Sequence, residues 1–379
     1  MKLAFCLFNY FPFGGLQRDF LRIARNCHER GHEVHVYTMR WEGDQEPSFH
    51  LHLIAGNGLS NDAQCVSFAN KIKPQLAAGK YDLIIGFNKM PGLDIYYAAD
   101  VCYQARAQAR RSFLYRLMPR YRRYVSLEKA VFAQGNHTEI LLISPRQQQE
   151  FIRYYQTEPE RFHLLSPGID KKRFAITNPA ERRKALREAL NIPDDHFLLL
   201  MVGSGFHTKG VDRAIHALAA LPEPMRAKCQ LIVIGQDDPA VFIKLAANLQ
   251  VIGQVHFPGG RTDVPDYLLA ADVLLHPAYH ENTGTVLLEA IVSGLPVLTV
   301  DVCGYAHYVS EANAGIVLAS PFQQLELNSA LQKMLSSSGR TAWRENGLAF
   351  AKEADIYDMP EKAANLIELA GRKRVSVSS

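Results

Sequence analysis

Residues His276 to Pro296 read HPAYHENTGTVLLEAIVSGLP. The DVLLHPA run that leads into this stretch is short and apolar, as a buried strand is. TVLLEAIVS behind Gly284 reads as a helix stopped by Gly294 and Pro296. Chemistry is therefore expected in the loop between them. Glu281 stands in that loop and Glu289 lies just over one turn inside the helix, while the amides of Gly284, Thr285 and Val286 open it. Such amides, backed by the positive end of the helix dipole, attract a phosphate. Carboxylates beside a phosphate repel it unless they face neutral hydroxyls. The combination therefore suggests a sugar nucleotide, with the diphosphate on the amides, one Glu on the sugar and the other on the ribose. Taken alone, Glu281 also reads as an acid complementing the helix dipole, and Glu289 as a solvated helix residue.

HPAYHENTGTVLLEAIVSGLPVLT resembles the donor-binding signature of the retaining glycosyltransferases of family 4. FPFGGLQRDF, GFNKMPGLD, YQTEPERF, KGVDRAI and VCGYAHY carry the resemblance along the whole chain, toward the branch that glucosylates heptose in the lipopolysaccharide core. The resemblance implies an α/β GT-B fold, in which two Rossmann-like, doubly wound parallel-sheet domains face a central cleft. Residues 1–168 would form the acceptor-binding domain, residues 169–354 the nucleotide-sugar domain, and a C-terminal helix within 355–379 would cross back to the first. It implies retaining transfer of glucose from UDP-glucose to an inner-core heptose, with no metal or other cofactor, by a protein held at the inner face of the cytoplasmic membrane. Carried over residue by residue, it assigns the donor to Gly15, Arg173, Lys209, Arg261, Glu281, Gly284, Thr285, Val286 and Glu289. Glu281, Asp19 and Asp100 would face the reacting groups. The family's basic pair in the first loop of the second domain is incomplete, because Thr208 occupies its first position.

Bulk properties agree with a two-domain reading. A chain of 379 residues can build two cores of ordinary size, and 47% hydrophobic with 21% charged residues describes a globular protein. No apolar run reaches the roughly 18 residues that span a bilayer. LAFCLFNYFPF near the start has only Lys2 before it, contains Asn9 and Pro12, and lacks a small-residue cleavage site, so it reads as a first strand and not a signal peptide. The six cysteines have neither CxxC nor metal spacing, which suits reduced thiols in a cytosolic protein.

In order, KLAFCLFNY reads as a strand, Phe11 to Gly15 as a turn and Leu16 to Arg30 as a helix. EVHVYTM, FHLHLIAG and YDLIIGFN follow as strands, and YYAA before Asp100 reads as helical. Asn88 and Lys89 stand where open α/β sheets place ligands and could reach acceptor phosphates or hydroxyls, although a capping Asn and a solvated Lys are the favoured readings. Met359 to Arg372 reads as the crossing helix. Asp237 and Asp238 are adjacent and lack the separated geometry of a metal-binding DxD.

The charge is uneven. Between Tyr103 and Leu127 lie Arg106, Arg110, Arg111, Arg116, Arg120, Arg122 and Arg123 and no acid; without these seven, the formal net charge of +4 becomes −3. Tyr103, Phe113, Tyr115, Tyr121 and Tyr124 interleave with them. Basic residues beside interfacial aromatics suit an element lying on an anionic membrane. A nucleic-acid surface and a solvated helix face are the competing readings. The lipid acceptor implied by the resemblance favours the membrane over nucleic acid. A membrane-docked sugar-nucleotide binding protein without turnover is the rival from outside the enzymes.

Overall fold

The computed structural model describes residues 1–12, 14–110 and 113–378. The chain divides into two compact units, one formed by Met1–Gly168 with the segment from Asp358 onward, the other by Ile169–Tyr357. Each is a parallel sheet wrapped by helices, as strands alternating with helical segments demand, because parallel strands need crossovers that cover both faces.

Among the described residues, the main sheet of the first unit has seven strands, β1 (Lys2–Cys6), β2 (Glu33–Thr38), β3 (His50–Leu53), β4 (Leu83–Gly86), β5 (Ile95–Ala98), β6 (Glu139–Leu142) and β7 (Phe162–Leu164), and the short segments Asn9–Tyr10 and Arg40–Trp41 pair beside it. The main strands pair in the order β3-β2-β1-β4-β5-β6-β7. Alternation along β1 feeds two cores. Leu3 and Phe5 pack with the helices Gly15–Glu29 and Met359–Ser378, while Ala4 and Cys6 pack toward Asn61–Ala78 and Pro119–Phe132. Met359, Ala363, Ala364 and Ile367 bury the C-terminal helix in the first of these cores. Tyr96 and Tyr97 correct one expectation, since IYYA is the fully buried strand β5 and not a helix. Four apolar residues lack a period long enough to tell helix from strand, and pairing with β4 and β6 settled the matter.

The second unit carries β8 (Phe197–Val202), β9 (Cys229–Ile234), β10 (Val255–Gly259), β11 (Val273–His276), β12 (Val297–Val300) and β13 (Gly315–Leu318), in the order β10-β9-β8-β11-β12-β13. The order reverses between β8 and β11, and the crevice at the carboxyl ends of such a strand pair is where doubly wound sheets bind ligands. The six cysteines are buried free thiols.

Candidate functional site

Two loops leave the sheet at the reversal point of the second unit. After β8, Gly203-Ser204-Gly205 leads into the short helix Phe206–Lys209; after β11, residues 277–284 lead into the helix Thr285–Val292. Backbone contact joins them: the Tyr279 amide donates to the Thr208 carbonyl at 2.9 Å. At Gly210 the chain turns with φ +77°, and a Cβ there would stand 2.2 Å from the Pro277 carbonyl oxygen, so only glycine permits the approach. Arg213 seals the junction, donating to the carbonyls of Pro277 and Ala278 and lying 3.6 Å over the Tyr279 ring. Asp212 accepts from the Tyr279 hydroxyl at 2.7 Å.

This junction brings Lys209 onto Glu281 as a direct ion pair. His276, fully buried at the end of β11, reaches the same carboxylate at 3.4 Å through Nε2, and its Nδ1 is buried without a hydrogen-bond partner. Burial by itself would raise the Glu281 pKa; the hydrogen bond to His276 and the Lys209 charge outweigh it and hold the carboxyl at about 2. Burial pushes the His276 pKa below the ordinary imidazole value, against the pull of Glu281, so the ring is neutral at pH 7. Nε2–H then donates to Glu281. An ionised Glu281 accepts hydrogen bonds and cannot act as an acid at neutral pH.

Gly284 precedes the helix with φ +80°, and a Cβ on it would meet the Glu281 side chain at 3.2 Å. The turn thus brings the Glu281 side chain against the start of the helix. Glu289, expected as either a ribose ligand or a solvated residue, is 6% exposed with Arg173 at 3.6 Å. The expected residues Lys209, Arg173, Glu281 and Glu289 therefore fall into two ion pairs, Lys209 with Glu281 before the helix and Arg173 with Glu289 within it. Arg261 is held elsewhere, in a two-bonded pair with Asp263 at 2.8 and 2.6 Å after the edge strand β10. Asp237 accepts from the Phe206 amide and Asp238 from that of Ala240, so both acids fasten backbone. His276 was missed by sequence reasoning. The available signal was its place as the last residue of an otherwise apolar strand.

In the first unit, Gly15 and Asp19 are one turn apart on the helix Gly15–Glu29 and share a face. Gly15 is exposed with open space around it, and Asp19 accepts from the Tyr97 hydroxyl at 2.8 Å. Asp100 is exposed at the rim of a cavity of about 260 Å³ that Asn88, Lys89, Tyr103, Arg106 and Arg120 also line. Lys89 corrects the sequence reading: it is not solvated but nine-tenths buried, donating to Glu128 at 2.5 Å and to the Val101 carbonyl. Glu128 is fully buried. It also accepts from the amides of Tyr103 and Gln104, which open the helix Tyr103–Arg110, and from the Tyr155 hydroxyl at 2.6 Å. Asn88 accepts from the Phe8 amide, fastening the loop after β4 to the one after β1.

The arginine-rich segment forms the helix Tyr103–Arg110, a 3-10 turn Phe113–Leu117 and the helix Pro119–Phe132. Arg111 lies outside the described residues, as do the side chains of Arg110 and Phe113. The tyrosines face one another: Tyr103 bonds Tyr115 hydroxyl to hydroxyl at 2.7 Å, and Tyr121 and Tyr124 pack against Tyr103 at 6.2 and 5.1 Å. Arg123 is paired with Asp62 at 2.7 Å, and Arg116 is partly buried. Arg106, Arg120 and Arg122 are exposed. Among the described side chains of this segment, the large apolar ones turned outward are Leu114, Leu117 and Met118, at 70, 55 and 50% exposure, none of them singled out from the sequence. No described helix is long and apolar enough to cross a membrane.

Comparison with known proteins identifies the family and the fold. Residues 182–350 match the family model of glycosyl transferases group 1, and residues 13–173 that of glycosyltransferase family 4. The chain is 49% identical over 368 residues to the lipopolysaccharide glucosyltransferase WaaG of Escherichia coli K12, covering 97% of this chain and 98% of that protein. A crystal structure of WaaG, a glycosyltransferase involved in lipopolysaccharide biosynthesis, superimposes with a TM-score of 0.92 over 96% of this chain and 99% of that one. HepE of Anabaena, solved with UDP and glucose, shares the fold with a TM-score of 0.74 at 21% identity, over 97% of this chain and 99% of its own.

Proposed function

We infer the reaction from one premise: the chain belongs to the family 4 glycosyltransferases of the GT-B fold, in the branch of the lipopolysaccharide glucosyltransferases. It is a glycosyltransferase of lipopolysaccharide biosynthesis. We propose that it moves glucose from UDP-glucose to a heptose of the lipopolysaccharide inner core with retention of configuration. The observation that carries this reading is the Lys209–Glu281–His276 group beside the start of the helix Thr285–Val292.

In the proposed mechanism the diphosphate lies on the helix amides, and Lys209 and Arg173 offset the charge that develops as the glycosidic bond breaks. Glu281, kept ionised by its neighbours, accepts hydrogen bonds from the glucose hydroxyls, and Glu289 holds the ribose. This is positioning, not proton transfer. Asp19, Asp100 and the cavity beside Arg106 and Arg120 would take the acceptor. The direct test is incubation with a panel of UDP- and ADP-sugars and heptose-terminated core lipid. Labelled product from UDP-glucose alone is expected; labelling only from another sugar nucleotide would replace the donor assignment.

Because cationic side chains and amides supply the charge at the proposed diphosphate site, transfer is expected to persist in excess EDTA. Loss in chelator restored by magnesium or manganese would show that a metal belongs in the reaction.

The proposed membrane seat is the outward face of residues 114–122. Leu114, Leu117 and Met118 would enter the lipid interface while Arg120 and Arg122 meet anionic headgroups, each arginine contributing about 1 kcal/mol. Changing Leu114, Leu117, Met118 and Arg122 to Ser, all outside the acceptor cavity, is expected to release the protein from anionic vesicles at physiological salt. Transfer to a detergent-solubilised acceptor would continue. Unchanged vesicle binding would remove this face from the membrane contact, and lost turnover on the solubilised acceptor would place it in the acceptor site.

A further inference from the structure

A cluster of imidazoles lies on the first unit's sheet, on residues the transferase reading does not use. In β2 the period of two puts Glu33, His35 and Tyr37 on one face; in β3 it puts His50 and His52 on one face. Parallel register sets His35 beside His50 and Tyr37 beside His52. Glu33 Oε1 lies 2.7 Å from His35 Nε2 and 3.9 Å from His50 Nε2, and one ligand atom from each of the three residues falls within 4.8 Å of the others. On the far side of the His35 ring, Nδ1 is 3.0 Å from His52 Nε2. The rings of His35 and His50 stack at 4.5 Å, and that of His52 stacks on Tyr37 at 4.4 Å.

We propose that Glu33, His35 and His50 bind a divalent transition-metal ion of the zinc class, with His52 as the partner that orients His35. Two imidazoles and one carboxylate are a donor set such ions favour, and water would complete the coordination. Ligands about 2.0–2.1 Å from a tetrahedral ion stand roughly 3.3 Å apart, which small χ rotations of the exposed His50 and Glu33 side chains reach from the present spacing. His35 is buried and already aimed: with Nε2 toward the ion, its Nδ1–H donates to His52, the arrangement that fixes the tautomer of a metal-bound histidine. Lys2 opposes the ion. It neighbours Glu33 in the register of β1 with β2, and its positive charge repels a cation held there. The buried cysteines offer no competing thiolate, since burial raises their pKa values. The cluster sits at the amino ends of β2 and β3, whereas the helix bearing Asp19 and the loop bearing Asp100 follow the carboxyl ends of β1 and β5. The ion would therefore staple edge strand β3 to the sheet and take no part in transfer.

Calorimetric titration of the full reduced chain with Zn²⁺ tests this. One equivalent is expected to bind and to raise the melting temperature. His50→Ala and Glu33→Ala should each weaken binding at least tenfold without altering the metal-free melting, His52→Ala should weaken it on the order of tenfold, and Lys2→Gln should tighten it. Absence of saturable binding, or an affinity unchanged in both His50→Ala and Glu33→Ala, overturns the proposal.

Discussion

Replacing Glu281 by Gln, or Lys209 by Ala, is expected to lower kcat/KM by at least 10² to 10³-fold, the loss typical when one preorganised charge or donor is removed from a site. The two variants should fail for different reasons. Gln keeps the shape of Glu281 but removes the charge that Lys209 and His276 face, and its amide offers the sugar hydroxyls one acceptor in place of two. Ala at position 209 leaves Glu281 ionised in a poorly solvated place, with its ammonium partner gone and the His276 hydrogen bond remaining. Both can be checked by steady-state kinetics together with near-UV circular dichroism. Near-normal turnover in both variants, with unchanged melting, would remove the pair from the proposed mechanism. The pair also has a pH signature. Glu281 titrates at about 2 in the fold, against an ordinary value of 4.5, so its contribution to stability is complete above the ordinary value. That contribution is lost as pH falls through the folded value. Acid unfolding of the second unit of Glu281→Gln is expected to be less steep over this window than that of the parent.

Glu128→Ala is expected to be the most destabilising single change in the first unit. Glu128 is fully buried and holds Lys89, two helix-opening amides and the Tyr155 hydroxyl. Burial alone would raise its pKa, but the Lys89 charge and these hydrogen bonds hold it below the ordinary value. Removing the carboxylate strands a buried ammonium, which costs about 3–5 kcal/mol. The helix Tyr103–Arg110 loses its anchor at the same time, so its amides should exchange faster than those of the sheet. A double change, Lys89→Met with Glu128→Met, removes both charges but still leaves the amides without an acceptor, and should recover only part of the loss. Equal denaturation midpoints for Glu128→Ala and the parent would show that the network contributes nothing net. By the same sign argument as for Glu281, the stabilising effect of Glu128 disappears as pH falls below the ordinary carboxylate range.

Much of the fold and part of the site were legible in the residues themselves. Apolar runs bounded by glycines, alternating with helical periods, determined two doubly wound sheets, because hydrophobic periodicity acts within one segment and is written there. The order Glu281, Gly284, Thr285 to Glu289 determined a helix start flanked by acids, since capping and helix phase are local too. What needed tertiary structure was whatever depends on two segments meeting. The short run Ile95–Ala98 became a strand because β4 and β6 pair with it. Lys89 became a buried partner of Glu128, 39 positions away. The tyrosines of the basic segment closed on one another, leaving Leu114, Leu117 and Met118 outside. His276 joined Lys209 and Glu281 only through the approach of two loops at Gly210. Glu33, His35 and His50 show no metal spacing along the chain, because the spacing exists across two strands. Register and loop contact arise from packing between segments far apart in sequence, and no single segment encodes them.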